Sequence, residues 1–239
     1  MREPRRDPSP DKEKLAPKAV VGRVSLYLRQ LELFQRQGLI TISSNQLGTS
    51  LTISDAQVRK DLAFFGQFGH PGVGYRIEEL IDALRRILGI DREWPSALVG
   101  LGNLGRALIR YRGFRSRGFH IVALFDNDPS KIGETIDGMV VHPLDSMAKV
   151  VQSLNISLAV LAVPAEVAQA VADQVVASGI VGLLNFAPLP LVVPPGVSVV
   201  GVDLSVQFEH LAYKVQNRQG GISYLEGTGA VGESHSGLR

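Results

Sequence analysis

Nine residues constrain this chain more than any others: Ala97-Leu98-Val99-Gly100-Leu101-Gly102-Asn103-Leu104-Gly105. A short apolar run leads into glycines spaced G-x-G-x-x-G, and a helical pattern, Arg106 to Tyr111, follows at once. Each glycine has its own job. Gly100 permits a tight turn off the strand, Gly102 lets backbone approach a pyrophosphate with no Cβ in the way, and Gly105 lets the helix pack closely on the sheet. The free N–H groups at the helix start then face the phosphates. A second apolar run, His120 to Phe125, delivers Asp126, 21 residues after Gly105. A carboxylate there accepts a hydrogen bond from a ribose 2′-hydroxyl and repels a 2′-phosphate. Gly100, Leu101, Gly102, Asn103, Leu104, Gly105 and Asp126 are therefore candidate cofactor-binding residues, and the cofactor predicted is NADH or NAD⁺.

Around this fingerprint, apolar runs alternate with helical stretches, which predicts a parallel sheet with helices on its faces. Met139 to Val141 reads as a short strand, Leu144 to Leu154 as a helix, and Leu158 to Val163 as a strand buried on both faces. A helix from Ala165 to Ser178 and strands at Val181 to Phe186 and Val197 to Val202 complete a Rossmann-type domain over 95–202. No span remains for a second, substrate-binding domain. Ala162-Val163-Pro164 and Asn185-Phe186 end strands on the ligand side, so Ala162, Val163, Pro164 and Asn185 join the candidate site. NAD⁺ carries a positive charge on its nicotinamide that NADH lacks. Burying that charge against apolar groups is costly, so such a pocket prefers NADH.

The N-terminal third has a different grammar. From Ala19 to Gly38, Val20, Val24, Leu28, Leu31 and Phe34 recur at helical spacing. Ser43-Ser44-Asn45 opens a short helix that Gly48 and Leu51 are expected to end, and Ser54-Asp55 caps a third helix, Ala56 to Phe65. Glycines at 66, 69, 72 and 74 interleave with Phe68, Val73 and Tyr75, predicting two short strands joined by a tight turn, before a helix from Ile77 to Leu88. That order matches a winged helix-turn-helix over 15–94. Gln57 and Arg59 can make bidentate contacts to base edges and Lys60 suits phosphate. With Ser44 and Ser54 at the helix starts they are the candidate DNA-binding residues. The segment carries ten basic against eight acidic side chains, a balance equally consistent with solvated charges on a small helical bundle.

The bulk numbers narrow the classes further. Net charge is +2, so no global polycation points to nucleic acid. Cysteine is absent, which excludes disulfides and thiolate metal sites and leaves any redox response to a bound molecule. Residues 1–14 are Pro-rich without an apolar core, expected to be a disordered tail rather than a signal peptide. No uncharged apolar run reaches membrane-spanning length. A cytoplasmic setting is expected, with no membrane partner. Leu204, Phe208, Leu211 and Val215 form one stripe on a last helix over 203–217, whose apolar face calls for a neighbouring subunit, and 218–239 reads as a flexible tail.

Taken together, the chain resembles the Rex family of redox-sensing transcriptional repressors over roughly residues 18–217. The resemblance rests on Val58-Arg59-Lys60-Asp61-Leu62-Ala63-Phe64-Phe65-Gly66, Gly72-Val73-Gly74-Tyr75, the Gly100 to Gly105 fingerprint, Phe125-Asp126-Asn127-Asp128-Pro129, Gly182-Leu183-Leu184-Asn185-Phe186-Ala187-Pro188 and Val202-Asp203-Leu204-Ser205. It implies an α/β fold: a winged helix-turn-helix domain, a Rossmann-type parallel sheet and a C-terminal helix swapped onto the partner of a homodimer. It also implies that each N-terminal domain reads half of a palindromic operator and that high NADH releases the DNA. A switch cluster of Arg29, Tyr111 and Asp203 is implied by the same resemblance. One departure stands out: family wings carry a basic residue in the turn, but here it reads Gly69-His70-Pro71-Gly72, which shifts the burden to Arg59 and Lys60.

Two other classes compete. A small NAD-dependent dehydrogenase needs a positioned acid/base, yet none of His70, His120, His142, His210 and His235 has a catalytic sequence context. A coenzyme A module is disfavoured by Asp126, which would repel a ribose 3′-phosphate.

Overall fold

Helical apolar stripes give the N-terminal part its own core. In the computed structural model, which describes residues 16–220 except Pro71 and only the backbone of 218–220, α1 (Lys18–Arg36) buries Val24, Tyr27, Leu28 and Leu31. The expected tail 1–14 lies outside the described residues. Strand β1 (Thr41–Ile42) leads into α2 (Ser44–Leu51), α3 (Asp55–Ala63), β2 (Tyr75–Arg76) and α4 (Ile77–Ile87). Leu47, Val58, Leu62, Leu80, Ile81 and Leu84 close on the α1 stripe. Ser43 caps α2 through a reciprocal capping box with Gln46, and the Ser54 hydroxyl accepts from the Gln57 N–H to start α3.

Two local expectations need correction. Gly48 does not end the second helix. It lies inside α2, where a Cβ would run into the Ile53 carbonyl, and Thr52 ends the helix at φ 58°. Nor is there a regular hairpin after Gly66 among the described residues. There the wing holds a single bridge between His70 and Gly74, while β2 pairs antiparallel with β1, Ile42 opposite Tyr75. Glycines 66, 69, 72 and 74 all take positive φ, a conformation that breaks a ladder.

The described residues up to Glu93, joined by Ser116–Gly118, form one compact unit, and Trp94–Arg115 with the described residues from Phe119 form the other. In the second unit β3 (Trp94–Val99), α5 (Asn103–Ile109), α6 (Arg112–Arg115) and β4 (Phe119–Phe125) come first. A small hairpin follows, β5 (Thr135–Ile136) and β6 (Met139–His142), then α7 (Met147–Ser153), β7 (Leu158–Leu161), α8 (Ala165–Ala177), β8 (Gly182–Asn185) and β9 (Ser198–Gly201). The sheet order is β5-β6-β4-β3-β7-β8-β9, parallel except for the β5 edge. Neighbours β3 and β7 come from the two halves of the chain, so the strand order reverses between them and a crevice opens at their C-terminal ends.

Side-chain alternation loads both faces. Ala97, Val99, Ala123, Phe125, Ala159 and Leu161 pack into one core with Val171 and Val175 of α8. Leu98, Leu124 and Val160 pack into the opposite core with Leu108 of α5. Beyond α5 that second face is open: Ile121, Val160, Leu184 and Val200 line an apolar cavity of about 370 Å³ with Phe114 and Phe119. The last helix, α9 (Leu204–Gly220), runs three residues into the tail expected from 218, while 221–239 lie outside the described residues. Its Leu204, Phe208 and Leu211 are more than half exposed.

Candidate functional site

The crevice holds a cavity of about 520 Å³ built by the glycine turn. Gly100, at φ 94°, lies against the Ala162 carbonyl, and a Cβ on Gly105 would collide with the Gly100 carbonyl oxygen. Gly102 has open space where its Cβ would stand. Gly100 and Gly105 are thus required by close packing, while Gly102 leaves room on the cavity side, which Gly100 also lines. Leu101, Asn103 and Leu104 complete the floor, Ala162, Val163 and Pro164 the far wall. Gly105 is buried beneath the loop and does not line the cavity.

Asp126 is built into the loop rather than merely placed beside it. Its Oδ2 accepts the Leu101 N–H at 2.7 Å and the Lys131 ammonium at 3.0 Å, while Oδ1 accepts the Asp128 N–H at 2.9 Å. Burial works against the Asp126 charge, but the Asp128 and Leu101 amides and the Lys131 ammonium outweigh it and hold the carboxyl below its ordinary range. Asp128 accepts from the Ser130 N–H and hydroxyl, folding 128–131 into a turn that brings Lys131 back to Asp126. Lys131 had no signal in the sequence beyond its distance from Asp126.

Asn185 does not serve as an open ligand group. It is 1% exposed; its amide donates to the Ala187 and Leu189 carbonyls and its oxygen accepts the Ala187 N–H. All its polar atoms shape the turn after β8, and that turn presents Phe186, not Asn185, to the cavity. Val163, Pro164, Val167 and Phe186 make this end of the cavity apolar.

In the other unit, Arg59 donates to the Asp55 carboxylate at 2.7 Å and to the Ser44 hydroxyl at 3.0 Å, so the predicted Ser44 and Arg59 meet. With Ser43, His70, Gly74 and Tyr75 they line a groove of about 510 Å³. Lys60 stands exposed on α3, and the Ser54 side chain is occupied as the α3 cap. Gln57 departs from expectation. Its amide donates at 2.7 Å to Asp61, which draws it toward the helix interface and away from a role as a free base-reading group.

Asp61 is the residue that sequence reasoning passed over. It is 1% exposed, and its carboxylate accepts two bonds from the Arg23 guanidinium, one from the Tyr27 hydroxyl at 2.8 Å and one from Gln57. Burial opposes its charge, but these donors together hold it below the usual carboxylate range, while burial pushes the Tyr27 phenol up. The signal was there: Asp61 falls three residues after Val58, on the apolar side of α3, where an unpaired carboxylate would be intolerable.

Of the expected switch residues, Arg29 is exposed on α1. Tyr111 sits between α5 and α6, edge-on to Phe114 at 5.1 Å, its ring filling the space over Gly113. Asp203 accepts the Ser205 N–H at 2.8 Å at the start of α9. Tyr111 and Asp203 share no hydrogen bond among the described residues. No cluster suited to a metal ion occurs among those residues, and none of their helices is long and apolar enough to cross a membrane.

Two family models match the chain, one described as a putative DNA-binding protein N-terminus at residues 16–63 and one as a CoA binding domain at residues 91–189. A redox-sensing transcriptional repressor Rex of Carboxydothermus hydrogenoformans is 48% identical over 200 residues, covering 84% of this chain and 96% of its own. The Rex of Streptomyces coelicolor is 42% identical, covering 88% and 82%. Among solved structures, "Crystal structure of RSP in complex with beta-NAD+ and operator DNA" superposes with a TM-score of 0.81 at 32% identity, covering 86% of this chain and 95% of that one. A second structure of that protein, in complex with beta-NADH, gives 0.78 at 31% identity, covering 86% and 97%. These relatives are named as transcriptional repressors. The chain belongs to the Rex family of redox-sensing transcriptional repressors.

Proposed function

We propose that this chain senses the ratio of NADH to NAD⁺ and represses transcription by binding a palindromic operator, letting go when NADH fills the crevice. The observation that carries the reading is the cavity itself. One end is a glycine loop locked by Asp126 and the other is an apolar wall of Val163, Pro164, Val167 and Phe186. A pyrophosphate fits over Gly102, the adenosine ribose beside Asp126, and the nicotinamide against the apolar wall, where the neutral reduced ring is favoured over the cationic one. Relatives solved with NAD⁺ plus operator DNA and with NADH support it. Coenzyme A is the weaker occupant, because Asp126 stands where its ribose phosphate would be.

DNA is held by the α2–α3 pair, with Arg59 and Lys60 on α3 and Ser44 and Ser54 at helix starts. A homodimer matches two such heads to two half-sites. The exposed stripe of α9 seats on a partner subunit's nucleotide domain, and the open apolar face of the sheet is the surface such a helix needs. Preference for NADH becomes a switch only through unequal affinity for the two dimer arrangements. Arg29, Tyr111 and Asp203 supply that difference, with Asp203 pairing Arg29 in one state and Tyr111 in the other. The protein works where its operator is, in the cytoplasm.

A gel shift on palindromic operator DNA with NADH, with NAD⁺ and with no nucleotide tests this directly. Retarded complex that disappears only in the NADH lane is expected. Equal retardation in all three overturns the proposal.

A further inference from the structure

We propose that coenzyme selection at this crevice is made by a carboxylate–ammonium pair, Asp126 with Lys131, and that Lys131 is a latent acceptor for a 2′-phosphate. The inference rests on the NAD(H) reading above. A carboxylate offers about four lone-pair directions, and three on Asp126 are taken by Leu101, Asp128 and Lys131. One remains, enough for a single ribose hydroxyl. Lys131 lines the same cavity, its ammonium 3.0 Å from Asp126 and 3.5 Å from Asp128.

The pair explains more than a lone acid does. An isolated carboxylate would reject NADP(H) by charge alone. Here its field is partly cancelled by the adjacent ammonium, so rejection depends on Asp126 keeping Lys131 engaged. Removing the Asp126 charge frees a cation in a half-buried pocket beside the position of the ribose 2′-oxygen. A charge-assisted bond between ammonium and phosphate is the chemistry that site then offers. Among the described residues Asp128 is the other carboxylate paired with Lys131, and at 3.5 Å it holds the ammonium more loosely than Asp126 does.

Binding of NADH and NADPH is measured by nicotinamide fluorescence on the full chain, wild type beside Asp126→Ser, Lys131→Met and the double variant. Serine keeps an acceptor for the Leu101 N–H, and Lys131 sits in a surface turn, so the loop survives both changes. Wild type binds NADH in preference to NADPH. Asp126→Ser weakens NADH and strengthens NADPH, and adding Lys131→Met removes that NADPH gain by about tenfold. Lys131→Met alone widens the preference for NADH. A double variant that holds NADPH as tightly as Asp126→Ser overturns the role of Lys131, as does an unchanged NADH:NADPH ratio in Lys131→Met. Wild type that binds neither coenzyme overturns the NAD(H) reading itself, a result distinct from both.

Discussion

Asp61→Ala is the most exacting test of how the reading head is held together. The substitution strands the Tyr27 hydroxyl, which is fully buried, and the Arg23 guanidinium, whose side chain is 28% exposed. A buried hydroxyl with no partner costs about 1–3 kcal/mol. Arg23 reaches water, so its loss lies at the low end for a broken ion pair, about 1 kcal/mol. Gln57 is half-exposed and recovers its bond from solvent. The sum is roughly 2–4 kcal/mol, a large part of what a unit this size holds, about 5–15 kcal/mol at most. Because the chain has two units, one melting curve mixes them. Hydrogen exchange resolved by peptide avoids that: α1 and α3 should lose about 30-fold to 1000-fold of their protection, at about 1.4 kcal/mol per tenfold. Trp94, the single tryptophan, begins β3 in the other unit and reports its integrity separately. A loss under 1 kcal/mol in α1 and α3 would refute the assigned node. Acid gives a second reading of the same group. The folded Asp61 pKa lies below its unfolded value, so its stabilisation is complete above the unfolded pKa near 4 and is lost as pH falls through the lower folded one. Protection of α1 and α3 should drop on acidification in wild type and respond less in Asp61→Asn.

Two further outcomes follow from the surfaces. Arg59→Ala removes the guanidinium that bridges Asp55 and Ser44 and faces the wing groove. Operator affinity should fall about tenfold to a hundredfold while NADH affinity stays at the wild-type value, read by titration with each ligand; undiminished DNA binding would remove α3 as the reading helix. Phe208→Asp puts a charge on the exposed stripe of α9, and sedimentation should show a shift from dimer to monomer with loss of operator binding. A dimer of unchanged stability would place the interface elsewhere.

What the sequence made legible follows from how each signal is written. The parallel sheet announced itself because Ala97 to Val99 and Ala159 to Leu161 are buried on both faces and so read as unbroken apolar runs. The glycine turn did the same through its spacing: Gly105 is required by the nearby Gly100 carbonyl, while Gly100 is required by Ala162 on the neighbouring strand's end, a contact the spacing alone does not write. The β5–β6 hairpin was missed although Asp137-Gly138, at φ 49° and 82°, is the dipeptide such a turn demands. The wing misled for the opposite reason. Tyr75 alternates as a hairpin strand should, but its partner is Ile42, more than thirty residues earlier, and no local pattern encodes that pairing.

Asn185 and Gln57, whose residue type suggests ligand groups, share one property: their polar atoms are claimed by partners inside the protein within four residues in sequence. Asn185 has the chemistry of a ligand group, and only the return of the chain at Ala187 and Leu189 shows its amide already satisfied. Gln57 has the chemistry of a base reader, and only the burial of Asp61 shows why it turns inward. In both cases a polar side chain met a nearer obligation inside the protein. Lys131 is the converse, a residue of no evident promise that a four-residue turn carries to the acid of the fingerprint. Polar residue type alone therefore overstates the number of groups available to a ligand. A buried carboxylate at an apolar position, such as Asp61, is the better guide, because its donors must be found nearby and will be withdrawn from other work.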